Sequence, residues 1–167
     1  MIPILQPIAA SFHTTDFTVS LCLGDLQEQD ARKRIRGDQG PSIAWEVGHM
    51  LDCRYKILGL LGVARESPYT AKFSSQGATD GSGYPTTADY QRLWREVSTD
   101  LAAAMEGATQ ELLNKLVEFA PHGGKTALDS ILFLAWHEAY LVGAVGTIRK
   151  ELGYPGPAEL VMAKSAA

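Results

Sequence analysis

The chain has 167 residues, a formal net charge of -4, and 46% hydrophobic and 20% charged residues. That is enough chain for one well-buried domain and too little for two, and the composition excludes a disordered, collagenous or strongly basic nucleic-acid-binding protein. One domain spanning residues 1–167 is expected, without a nucleic-acid partner. The stretch MIPILQPIAASFHTTDF has no basic lead and carries prolines in its apolar part. No later stretch holds roughly eighteen consecutive apolar residues, so neither a leader nor a membrane span is expected, and the cytoplasm is the expected compartment. Cys22 and Cys53 form no C-x-x-C pair and read as reduced thiols within helical patterns.

In chain order, apolar residues near helical spacing, Phe12, Phe17 and Leu21 among them, predict a first helix over about 8–24, with Gly24 in the left-handed closing position. LQEQDARKRIRGDQG follows as a polar connection with room for one helical turn, and its run RKRIR is expected to be a solvated face. Pro41 and Ser42 announce a second helix over about 42–62, closed by Gly62, with Val47, Met50, Leu51, Arg54, Leu58 and Leu61 on its buried side. ARESPYTAKFSSQGATDGSGYPT lacks periodicity and is long for a connection inside a domain, which leaves a crossover and a lid as equal readings for 63–86. Thr86, Thr87 and Asp89 start a third helix, in which Leu93, Trp94, Val97, Leu101 and Met105 recur up to Gly107. QELLNKL adds a short helical piece, and His122 beside two glycines reads as a loop residue. The last helix is expected over about 125–152, with Arg149 and Lys150 in its final turn, Gly153 closing it, and Pro155 and Pro157 barring continuation. No stretch alternates as a strand would, so the fold class is all-α: four main helices with one long crossover between the second and third.

Two histidines fall on the apolar stripes of different helices. His137 shares a line with Leu134, Leu141, Val145 and Ile148, and His49 shares a side with Met50 and Cys53. Two inward imidazoles can begin a metal site between facing helices, or they can be core histidines hydrogen-bonded across the bundle. WHEAYLVG opens like the helical zinc motif H-E-x-x-H, but Leu141 stands where a ligand four residues after His137 would be needed.

SIAWEVGHMLDC at 42–53 and HEAYLVGAVGTIRKELGYPG at 137–156 resemble the DinB/YfiT-like family of metal-dependent helical proteins. There a serine-led helix carries W-x-x-G-H, and the last helix carries H-x-x-x-H-x-G-Q before a basic pair. The resemblance implies an up-down-down-up four-helix bundle. It matches His49 and His137 to two of three histidine ligands, with Leu141 in place of the third and Ala144 in place of the glutamine. It further implies a divalent metal, zinc or nickel, held weakly or not at all because of Leu141, and kinship to thiol S-transferases that use a small cellular thiol. Cys53, one turn after His49, and Glu138, beside His137, are the candidate substitute ligands, with His13 a weaker one; Trp45, Tyr140 and Leu141 are the expected pocket lining. The alternative function is a non-catalytic dimeric bundle that binds a small ligand. A homodimer is the natural assembly under either reading.

Overall fold

The computed structural model describes residues 1–73, 81–118 and 124–165. A short 3-10 turn, Pro3–Leu5, leads into α1 (Gln6–Gly24), followed by α2 (Glu28–Ala31), α3 (Ile43–Leu60), α4 (Thr70–Phe73), α5 (Thr87–Gly107), α6 (Gln110–Asn114), α7 (Ala127–Glu151) and α8 (Pro157–Ser165). Among the described residues there is no strand, only an isolated antiparallel bridge between Leu116 and Thr126.

Hydroxyl caps fix where these helices start. Ser42 accepts from the backbone N–H of Trp45, Thr86 from Asp89, Thr109 from Leu112 and Thr126 from Asp129, each cap residue itself being extended. At Thr126 the bond is reciprocated by Asp129, a capping box. Ser42 is therefore the cap of α3 and Pro41 lies just outside it, two positions before the first helical residue, Ile43. Of the closing glycines, Gly62 and Gly153 adopt left-handed φ of 81° and 85°. Gly24 does not: it is the last residue of α1, and the cap residue Asp25 keeps a right-handed conformation.

The four long helices form a ring in which α1 and α3 each pack against both α5 and α7. Partners along α1 and α7 advance in the same sense, Thr15 with Glu138 and Cys22 with Arg149, whereas along α1 and α5 they run in opposite senses, Asp16 with Ser98 and Leu23 with Gln91. Phe12, Val19, Val47, Met50, Leu58, Trp94, Val97, Leu101, Ile131, Leu134, Val145 and Ile148 fill the interior. Phe17, expected on the buried face of the first helix, is 43% exposed. α7 is, among the described residues, the one helix long and apolar enough to cross a bilayer. Its charged Glu138 and Arg149 are nevertheless buried in ion pairs with other helices. Arg149 does more than complement the helix dipole: it donates to the carbonyls of Cys22 and Pro155 and pairs with Asp25, fastening the ends of α7 and α1 together.

Two helices lie where none is expected. α8 begins at Pro157, which does not bar a helix but occupies a helix's first position, where the missing N–H costs nothing; α8 packs on α1 and α7. α4 lies inside the 63–86 connection and is held by tertiary contacts. Thr70 donates to Asp52 at 2.7 Å, and the Phe73 ring, 1% exposed, packs tilted against Tyr84 with centroids 4.9 Å apart. Arg32 adds bonds to the carbonyls of Gly81, Tyr84 and Pro85. The described part of this connection thus packs onto α3 beside His49.

Candidate metal centre

From the Ser42 cap, α3 carries His49 and Cys53 one turn apart on one side, and α7 brings His137 across from them. The two Nε2 atoms are 3.1 Å apart and Cys53 Sγ is 3.9 Å from His49 Nε2. One ligand atom from each of the three lies within 4.8 Å of the others. The His49 Nδ1 is 2.6 Å from the Phe73 carbonyl oxygen. A carbonyl only accepts, so the ring must donate from Nδ1, which leaves the Nε2 lone pair of neutral His49 directed at His137.

Aromatic rings close around the pair. Trp45 stacks on His49 at 5.1 Å, and Phe133 and Tyr140 stack on His137 at 5.9 and 6.2 Å. Burial, and after it the cost of placing a proton's charge beside His49 and Lys56, hold the His137 imidazole below its ordinary pKa, which favours the neutral, metal-ligating form. Burial pushes the Cys53 thiol up to about 12. Lys56 offsets this only in part, so without a bound metal the thiol stays protonated and is a poor nucleophile.

The donor set fits a metal of borderline softness. Around a tetrahedral zinc, with Zn–N about 2.0–2.1 Å and Zn–S about 2.3 Å, two nitrogens sit about 3.4 Å apart and a nitrogen and sulfur about 3.6 Å apart. The 3.1 and 3.9 Å separations are each within a few tenths of an ångström of that, and the third pair, Cys53 and His137, lies within 4.8 Å. The Nδ1–H of His49 is anchored on a carbonyl, the arrangement that orients a ligating imidazole.

Glu138 is not a substitute ligand. One residue past His137, it turns away from the cluster, is 2% exposed, and is gripped by Arg54, whose Nε and Nη2 each donate to it at 2.7 Å. Thr15 donates to the same carboxylate. Leu141 is 4% exposed and belongs to the hydrophobic core. Tyr140 does line a cavity of about 450 Å³ together with Arg36, Glu46 and Ile148, whereas Trp45 acts as a cover on His49. His13 lies in a separate groove between α1 and α5 with Asp16 and Ser98. His122 is outside the described residues.

Two contributors have no signal of their own in the sequence. The Phe73 carbonyl is one, although Gly48 hints at it: a Cβ there would meet the Phe73 ring at 2.4 Å, so the glycine beside His49 is the space into which Phe73 fits. Glu46 is the other, a carboxylate 4% exposed on a helix whose apolar pattern does not announce it.

A family model for the DinB superfamily matches residues 15–140, from within α1 to within α7 and including His49, Cys53 and His137. No curated protein matches.

Proposed function

The chain belongs to the DinB superfamily, and on that premise we propose that it binds one divalent metal through His49, His137 and Cys53 and uses it in thiol S-transfer. The observation that carries this reading is the convergence of three donor atoms within 4.8 Å of one another. Cys53 supplies the third donor that Leu141 does not, from α3 instead of α7. A bound zinc or nickel ion supplies Lewis acidity, which lowers the pKa of an incoming small thiol and keeps its sulfur as thiolate.

The protein's own groups do the rest. His49 and His137 turn their Nε2 atoms toward each other, with His49 oriented by the Phe73 carbonyl. Trp45 and Phe133 shield the two imidazoles on their stacked faces, while Tyr140, 63% exposed, stands at the open side by which a substrate would enter. The net reaction joins the thiol sulfur to an electrophilic carbon, and the thiol proton leaves with the displaced group. A second reading is favoured by the same 3.1 Å separation, because one Nε2–H donated to the other Nε2 satisfies both of these atoms with no metal. The bundle would then be non-catalytic.

Metal analysis of protein purified without a histidine tag separates the two. About one zinc or nickel per chain is expected. Cys53→Ala and His137→Ala should each lower the affinity by a factor of ten or more, as a competing chelator reads it. No metal after purification, and none taken up when zinc or nickel is added, would leave the hydrogen-bonded pair as the correct account.

A further inference from the structure

Beside the histidine cluster, the loop before α3 and the outer face of α7 enclose the cavity of about 450 Å³, within the size range of small-molecule pockets. Its walls are largely apolar, with Ile35, Pro41 and Ile148 contributing, and Tyr140 links it to His137. Two charged side chains line it, Glu46 and Arg36. Glu46 is 4% exposed, and its Oε2 has no hydrogen-bond partner among the described residues. A buried carboxyl without a partner is costly, and the usual compensation is an ammonium or another donor. Burial pushes this carboxyl up to about 7.

Arg36 differs from the other arginines of its run. Arg32 is spent on Glu28 and three carbonyls, and Arg34 on the Gly40 carbonyl. Arg36 is exposed at the cavity, and no hydrogen bond or ion pair occupies its guanidinium among the described residues. A simple cation would be repelled by Arg36 and a simple anion by an ionised Glu46. A ligand carrying both charges satisfies both groups.

We propose that this cavity binds a small zwitterion of the amino-acid or dipeptide class, with its ammonium on Glu46, its carboxylate on Arg36 and its aliphatic part against Ile35, Pro41 and Ile148. The proposal stands whether or not the neighbouring histidines hold a metal.

Calorimetric titration of the full chain tests it, with L-leucine and Leu-Gly as zwitterions, isopentylamine lacking the carboxylate, and 4-methylpentanoate lacking the amine. One or both zwitterions should bind, and the two single-charge analogues at least tenfold more weakly. Glu46→Gln and Arg36→Ala should each weaken binding tenfold or more, while Arg34→Ala should not. Gly143→Leu should abolish binding by filling the space: Gly143 lines the cavity, and a Cβ on it meets nothing within 4 Å. Circular dichroism checks that each variant is folded. No binding of either zwitterion at millimolar concentration would overturn the proposal, as would affinity unchanged by loss of the amine or of Arg36.

Discussion

An ionisable group whose folded environment opposes its charge makes stability depend on pH, and Glu46 is such a group: its carboxyl is raised from 4.5 to about 7. Below about pH 4.5 the folded and unfolded chains both hold this proton, and Glu46 adds no pH dependence. Between there and pH 7 the unfolded chain has released a proton that the folded chain keeps, so stability falls as pH rises, levelling off above 7. The loss is about 3 kcal/mol. Glu46→Gln cannot ionise. It is expected to match wild type near pH 4 and to exceed it by about 3 kcal/mol at pH 8 in urea denaturation; a difference that does not change with pH would mean that the folded chain pairs Glu46 after all. The sequence hides this residue because its burial depends on the 35–41 loop and α7 closing over one side of α3. His49, Cys53 and His137 were legible because each sits on an apolar stripe whose inward direction follows from helical spacing. Glu138 misled for the same geometric reason: one residue along a helix is a turn of about 100°, enough to carry it from the cluster to Arg54.

Elements with apolar stripes of their own could be read locally, the hydroxyl caps of α3, α5 and α7 adding to the signal, which is why these three and α1 were expected close to their observed bounds. α4 could not, since four residues do not sustain a helix alone and its place is set by Asp52 and Gly48 on another element. α8 has no buried residue among its nine and so no strong amphipathic signal. The role of α4 can be tested through Gly48→Ala. Helix propensity alone would make this change stabilising by about 1 kcal/mol, but the new Cβ would lie 2.4 Å from the Phe73 ring. The ring must shift, and with it the carbonyl that holds His49 Nδ1. The variant is therefore expected to lose about 1–3 kcal/mol of stability and to bind zinc roughly tenfold more weakly, measured by chelator competition. Zinc affinity equal to wild type would show that the strap does not orient His49.

On the scale of the whole bundle, one side chain joins all four long helices. Arg54 of α3 is fully buried; it donates to Glu138 of α7, to Asp16 and Thr15 of α1 and to Ser98 of α5, and its guanidinium lies 3.9 Å over the Trp94 ring. Periodicity placed Arg54 on the buried side of its helix, but its partners come from three other helices and were not legible until those were assembled. The network holds one guanidinium against two carboxylates, so its removal leaves negative charge stranded in the interior. Arg54→Met should cost about 3–5 kcal/mol, the range for breaking a buried pair from one side. Arg54→Lys should recover little, because a single ammonium cannot donate to both oxygens of Glu138 while also reaching Asp16 and Ser98. Removing the stranded partner as well, in Arg54→Met/Glu138→Leu, should restore more than half of the loss, since much of the penalty belongs to the orphaned carboxylate rather than to the missing attraction. Urea denaturation of the three variants with Glu138→Leu completes the cycle. A cost below about 1 kcal/mol for Arg54→Met, or a double variant no better than the single one, would mean that water enters and solvates these carboxylates, and that the four helices are held by their apolar faces alone.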